Sequence, residues 1–243
     1  MKRVRFLDPA GSERRGEWTD NGVTFGGRTY DRDDVRMLPP VDPSKIVCIG
    51  RNYAEHAAET DSEVPDRPLL FLKGPNTLAA HGDTISLPAE KERIDYEAEL
   101  GVVIGEQCRN VSASDAESVI RGYTCVNDLS NREDQRKEQN WIRGKAFDNA
   151  APIGPVVATP DELPENPTVQ SRVNGEVKQE ATTDKMIFPV AELIEEITKL
   201  MTLEPDDVIA TGTPEGIGRL EEGDSVEIEV DGVGTLRNEV RFD

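Results

Sequence analysis

Apolar positions along this chain fall in short runs bounded by turn residues, the pattern of strands more than of long helices. IVCIG (46–50) and LLFLK (69–73) are compact apolar runs, and TISL (84–87), YEAELGVVIG (96–105) and YTCVNDLS (123–130) read as further strands. DVIAT (207–211), SVEIEV (225–230) and TLRNEVRF (235–242) close the chain in the same manner. Near the start, VRFL (4–7) leads, and GVTF (22–25) and RTY (28–30) flank a Gly26-Gly27 turn. Val173-Asn174-Gly175-Glu176 carries the Asn-Gly signature of a two-residue hairpin.

Helical spacing is clearest after Pro189, a favoured first position, where Val190, Leu193, Ile194, Ile197, Leu200 and Met201 fall on one face. Shorter helices are expected from Tyr53, capped by Asn52 with Glu55 three residues on, and from Ser112 to Arg121, stopped at Gly122. The polar stretch NREDQRKEQNW (131–141) reads as helical too. Many strands broken by few helices imply a β-rich α+β fold. Residues 1–40 read as a small strand-rich domain, and the stiff Pro39–Pro43 segment separates it from a larger domain over 44–243.

The charge balance narrows the partners. Asp and Glu number 48 against 28 Lys and Arg, a net charge of -20, and the acids are spread along the whole chain. Such a surface repels nucleic acid and anionic lipid. The favoured reading is adaptation to high salt, where a Debye length of about 3 Å at 1 M screens self-repulsion; an ordinary acidic protein is the alternative. No apolar run approaches the roughly 20 residues needed to span a bilayer, and the basic N-terminus lacks the apolar stretch of a secretory signal. A cytoplasmic protein is expected. Cys48, Cys108 and Cys125 show neither disulfide nor zinc-site spacing.

Candidate chemistry begins with Glu97 and Glu99. At i and i+2 of a strand, both carboxylates project from one face in apolar surroundings. Two such charges raise one pKa unless a cation lies between them, although a solvated acidic face explains the pair equally well. Asp128, at the end of an apolar run, would complete an all-oxygen site suited to Mg²⁺ or Mn²⁺. His56 and Glu59 share a helix face, so the carboxylate can orient the imidazole as a general base, or the two form a surface ion pair. His81 lies in a turn and is read as structural. Lys145 lies in RGKAFDNAAPIGP of a lysine-poor chain, and the loop 211–218 (TGTPEGIG) can offer backbone N–H groups to an anion. That loop lacks the lysine of a phosphate-binding P-loop.

In series, IGRNYAEHAAE, PLLFLKGPNT, DYEAELGVVIG, NDLSNREDQ, WIRGKAFDNAAPIGP, VNGEVKQEATTDKMIF and ATGTPEGIG resemble the fumarylacetoacetate hydrolase superfamily, in its acylpyruvase and 2-hydroxyhepta-2,4-diene-1,7-dioate isomerase-like branch. The resemblance implies a mixed-sheet β-roll, commonly assembled as a homodimer. It implies Glu97, Glu99 and Asp128 as metal ligands, and His56 with Glu59 as a water-activating dyad on a lid. Arg132, Gln135 and Lys145 match positions that stabilise an oxyanion or hold a carboxylate. Thr213 matches a substrate-contacting threonine, and Arg51, Asn52 and Tyr53 shape the pocket. One departure is Ser130-Asn131-Arg132-Glu133, where the family often has Ser/Thr-Ala-Arg-Asp.

The expected activity is metal-dependent hydrolysis of a C–C bond in a small 2,4-dioxo acid of acylpyruvate or fumarylacetoacetate type. The alternative is isomerisation or decarboxylation of a related 2-oxo or 2-hydroxy dienoic dicarboxylic acid, oxaloacetate included. A non-catalytic metal-binding protein on the same scaffold is the second alternative.

Overall fold

The computed structural model describes residues 1–59, 63–91 and 93–243. Most of its strands join one mixed sheet. From edge to edge this sheet runs Arg28–Tyr30, Gly22–Phe25, Glu13–Thr19, Lys2–Leu7, Ala151–Ala158, Ile120–Asn127, Ala98–Ile104, Val208–Ala210, Ile46–Gly50 and Leu69–Lys73. Neighbours along this path are antiparallel except Val208–Ala210 and Ile46–Gly50, which pair in parallel. A second sheet orders Glu176–Thr182, Thr168–Val173, Ser225–Val230, Gly234–Phe242 and Thr84–Leu87, and a small third one joins Ser130–Asn131, Ile94–Tyr96 and Gly218–Arg219. The architecture is the expected strand-rich α+β one.

Side-chain alternation builds these sheets. In Ser225–Val230, Val226, Ile228 and Val230 are buried and the intervening residues half-buried, as a one-sided strand requires. Ala98–Ile104 is buried throughout, because both of its faces are covered. Leu100 and Cys125 belong to one apolar cluster, Val102 and Ile104 to another, and Val103 and Val126 to a third. The Asn174-Gly175 hairpin forms as expected, with φ of 53° and 80°. Gly26 and Gly27, at φ 59° and 78°, turn the chain between Gly22–Phe25 and Arg28–Tyr30. The N-terminal strands join the large sheet directly, through Lys2 opposite Ala158 and Arg3 opposite Val157.

Four α-helices are present among the described residues: α1 (Ala54–Glu59), α2 (Arg132–Lys137), α3 (Ile142–Lys145) and α4 (Val190–Leu200). Helix α4 buries Leu193, Ile194 and Ile197 against Val47, Ile49 and Val102. Leu200, expected on that face, is 62% exposed. Thr198 is buried in this last turn instead, and its hydroxyl accepts a bond from the Val111 N–H.

Other local expectations are corrected by long-range pairing. The helix expected over Ser112–Arg121 is a 3₁₀ helix from Ala113 to Val119, because Ile120 and Gly122 pair with Ile104 and Val103 in the sheet. Asn52 does not cap α1. Its amide bridges Thr211 and Phe188, a bonding set that fixes the 211–218 loop against the root of α1. The polar stretch 131–141 contains α2 alone, with Asn131 as its N-cap, and α3 starts beyond it at Ile142. The chain reverses at Trp141, whose φ is 57°. Among the described residues no helix is long and apolar enough to cross a membrane.

Candidate metal centre and active site

Antiparallel pairing brings the three acids together. Ala98 lies opposite Asn127, so Glu97 and Asp128 are neighbours just beyond the paired stretch, and the Asp128 N–H donates to the Glu97 carbonyl at 2.9 Å. Glu97 is not inside a continuous strand, as expected from sequence. It sits at a break between Ile94–Tyr96 and Ala98–Ile104. There the N–H groups of Glu97 and Ala98 donate to the side chains of Asn127 and Gln179, each at 3.0 Å. The carboxylates of Glu97, Glu99 and Asp128 nonetheless offer oxygens that all lie within 4.8 Å of one another. All three are buried, at 4%, 1% and 1% exposure.

Their counter-charges are unequally shared. Glu97 Oε1 accepts from Arg132, and its Oε2 accepts from Lys145 at 2.7 Å. Asp128 Oδ2 accepts from Lys145 at 2.8 Å, and Lys73 Nζ lies 2.6 Å from Oδ1. Among the described residues Glu99 has no such partner at hydrogen-bond distance; its Oε2 accepts from the Gly212 N–H at 2.8 Å. Burial works to raise the pKa of Glu97, but Arg132 and Lys145 overcome it and hold the group far below the usual carboxylate range. Burial drives Glu99 the other way, well up, and the charges of Asp128 and Glu97 push it further. A dipositive ion among three carboxylate oxygens would relieve that repulsion, and an all-oxygen donor set suits hard cations such as Mg²⁺ or Mn²⁺. The residues fit such an ion.

A cavity of about 510 Å³ opens onto this cluster. The candidate metal, catalytic and substrate residues named from the sequence line it, except Asn52 and Tyr53, which are buried behind the wall. His56, 5% exposed, has Nδ1 at 3.3 Å from Glu59 Oε2. Glu59 Oε1 accepts in turn from the Gly216 N–H at 3.1 Å. The N–H groups of the 211–218 loop, expected to face an external anion, thus go in part to the protein's own carboxylates, Glu99 and Glu59. Gly212, at φ +98°, is required there, since a Cβ would meet Asn52 Cβ at 2.7 Å. Arg132 is held by Asp95 at 2.8 Å and donates to Gln135 Oε1 at 2.9 Å. Thr213 Oγ1 accepts from Gln179 at 2.7 Å. Arg51 lines the wall with a left-handed φ of 60°. Tyr53 is instead packed in the core at 1% exposure, and burial pushes its phenol pKa up. His81, read as structural, lies outside this cavity and accepts the Arg237 N–H at 3.1 Å.

Sequence reasoning passed over Lys73, Asp95 and Gln179, all of which hold site residues in place. Lys73 carried a signal: lysine is rarely fully buried without a partner, and here it ends the apolar run LLFL. Phe71 and Trp141 were also missed. Their rings meet edge to face at 5.4 Å, and Lys145 Nζ lies 4.9 Å from the Phe71 centroid.

Several known proteins are similar to this chain. Oxaloacetate tautomerase YisK of Bacillus subtilis is 41% identical over 230 residues, covering 89% of this chain and 78% of that protein. The structure of 5-carboxymethyl-2-hydroxymuconate delta-isomerase from Mycobacterium smegmatis superposes with a TM-score of 0.91 at 38% identity, over 100% of this chain and 99% of that one. Fumarylpyruvate hydrolase from Pseudomonas aeruginosa, solved with Mn²⁺ and pyruvate, gives a TM-score of 0.78 at 31% identity, over 86% of this chain and 92% of that one. The model of the fumarylacetoacetate (FAA) hydrolase C-terminal region matches residues 45–241, and with it the chain belongs to the fumarylacetoacetate hydrolase family.

Proposed function

We propose that this protein is a divalent-metal-dependent, cytoplasmic enzyme that isomerises a small 2-oxo dicarboxylic acid by keto–enol proton transfer, with oxaloacetate as the first substrate to test. The observation that carries the proposal is one cavity uniting three buried carboxylates with the His56–Glu59 pair and two cations, Lys145 and Arg132. The direction of the reaction follows the relatives. One is named an oxaloacetate tautomerase and another a delta-isomerase, and both match over most of this chain. Expected hydrolysis of acylpyruvates therefore becomes the second reading, favoured by the likeness to fumarylpyruvate hydrolase.

In this reading Glu97, Glu99 and Asp128 would hold the ion, which would supply Lewis-acid polarisation of the 2-oxo acid. Glu59 orients His56 through Nδ1, so the imidazole can take a proton from the carbon beside the ketone. The electron pair left behind moves onto the ketone oxygen, giving the enolate. Lys145 and Arg132 stabilise that developing charge, worth roughly 3–4 kcal/mol per well-placed donor. The protonated His56 then delivers its proton to the oxygen, completing the enol. Gln135, Arg51 and Thr213 line the wall and orient the carboxylates. Cleavage would use the same enolate, but as a leaving group after water attacks a second carbonyl.

A spectrophotometric assay separates the readings. With Mg²⁺ or Mn²⁺ in molar KCl, the enol absorbance of oxaloacetate should relax to its keto equilibrium faster with enzyme, with no loss of total oxaloacetate. Consumption of acylpyruvate with release of pyruvate, and no effect on enol oxaloacetate, would sink the isomerase reading. Binding of metal without turnover on either substrate would leave an inert metal-binding protein.

Two further outcomes follow from the charges. The ion requires Glu99 as carboxylate, whereas burial and its acidic neighbours favour the protonated form. Metal and proton therefore compete, so the apparent affinity should climb as pH rises, until Glu99 ionises without the metal. Calorimetric titration with MnCl₂ in two buffers of different ionisation enthalpy should show about one proton released per ion bound. Zero release at neutral pH would show that Glu99 is already ionised.

The net charge of -20 sets the second outcome, which carries the proposal of salt adaptation. Raising KCl from about 0.1 M to 1 M shortens the Debye length from about 10 Å to 3 Å. The thermal midpoint should increase by several degrees over that range. A flat or falling midpoint would identify an ordinary acidic protein.

A further inference from the structure

Two lysines meet Asp128, and their surroundings differ. Lys145 ends the short helix α3, and its ammonium bonds only to side chains that face the cavity, Glu97 and Asp128. Lys73 ends the strand Leu69–Lys73, its side chain fully buried and absent from the cavity wall. Its ammonium donates to the main-chain carbonyls of Leu129 at 3.0 Å and Ala150 at 2.6 Å, and it lies 2.6 Å from Asp128 Oδ1. Two of the ammonium's three protons go to these carbonyls, and the contact with Asp128 Oδ1 is a close ion pair and not an aligned hydrogen bond. Main-chain carbonyls on two separate segments cannot swing away, so the Lys73 charge is fixed in space.

We infer that Lys73 is the positioning residue of Asp128: it anchors Oδ1 against the backbone and leaves Oδ2 as the oxygen presented to the metal and to Lys145. Asp128 is then a one-oxygen ligand by construction. The two lysines divide the work. Lys145 can turn toward a substrate oxygen, while Lys73 keeps the ligand it serves from rotating. The inference rests on the reading of Glu97, Glu99 and Asp128 as metal ligands. Partners that orient a ligand from behind characteristically contribute 10–100-fold to metal affinity.

Charge alone predicts the opposite sign. Removing a cation beside a cation site strengthens metal binding by Coulomb's law, whereas removing an anchor weakens it. The test is titration of MnCl₂ into wild type, K73M and K145M, followed by calorimetry and by electron paramagnetic resonance of the bound ion. K73M should bind Mn²⁺ about 10- to 100-fold more weakly, with a broadened spectrum from an unfixed ligand. Affinity in K73M equal to or tighter than wild type would overturn the positioning role. If K73M does not fold, the double variant K73M/D128N decides, because it leaves no buried carboxylate unpaired by the loss of the ammonium. A folded double variant shows that Lys73 serves Asp128; one that also fails to fold shows that it serves the carbonyls instead, and overturns the inference. Wild-type protein that takes up no Mn²⁺ would instead overturn the metal assignment on which the inference stands.

Discussion

Glu99→Gln should lower metal-dependent turnover on the order of 10³-fold while leaving the metal-free protein at least as stable as wild type. The first half follows from losing one of three carboxylate ligands. Lewis-acid stabilisation is worth several kcal/mol, and about 1.4 kcal/mol corresponds to each factor of ten in rate. The second half follows from the unequal sharing of counter-charge. Lys145 and Arg132 serve Glu97, Lys73 and Lys145 serve Asp128, and Glu99 has the Gly212 N–H. With its folded pKa raised, the Glu99 side chain favours folding while protonated and loses that contribution as pH rises from the unfolded pKa through the folded one. The neutral amide keeps a carbonyl for Gly212 without that loss. Steady-state rates with saturating Mn²⁺ and urea unfolding in chelator, both at neutral and mildly alkaline pH, check the two halves. Full activity in the variant would remove Glu99 from the site, and severe destabilisation would mean its negative charge is structurally needed.

His56→Gln should reduce kcat by about 10²–10⁴-fold, the range for loss of a general acid–base group, with Mn²⁺ affinity unchanged. The imidazole lies against Glu59 and lines the cavity without belonging to the carboxylate cluster, so it serves proton transfer and not metal retention. Parallel calorimetry and rate measurements separate these roles. A variant with lost Mn²⁺ binding and intact kcat at saturating metal would place His56 among the ligands and leave the proton transfer without its base. Glu59→Gln should follow the same pattern more mildly, because the amide can still hold the ring while giving up the charge and altering the loop contact at Gly216.

What the chain reveals before folding depends on how local the cause is. Val226, Ile228 and Val230 declare a one-sided strand by alternation, and Leu193, Ile194 and Ile197 declare a helix face by spacing. The Asn174-Gly175 turn needs only its own two residues. Expectations failed where a distant segment took over the backbone. Gly122 reads as a helix stop, yet it pairs with Val103 and would clash with the Ala158 carbonyl if it bore a side chain. Asn52 reads as a helix cap, yet its amide serves Thr211 and Phe188, more than a hundred residues away.

The site shows the same division. Glu97, Glu99 and Asp128 were legible as acids in apolar runs, and His56 with Glu59 as a helical pair. Their convergence required the register of Ala98 opposite Asn127, which no local pattern specifies. The break in the strand at Glu97 arises because Asn127 and Gln179 take up its neighbouring N–H groups. Lys73, Asp95 and Gln179 act through other residues, so their chemistry is visible only with the partners in place. Tyr53 shows the reverse, a residue in a suggestive motif whose ring packs into the core.

The shared premise is a hard cation enclosed by Glu97, Glu99 and Asp128. Crystals grown or soaked with MnCl₂ and measured at the manganese absorption edge test it directly. The expected result is a single strong anomalous peak within about 2.0–2.6 Å of oxygens from Glu97, Glu99 and Asp128 together. No peak there at saturating Mn²⁺, or one bound only to surface acids, would contradict the account.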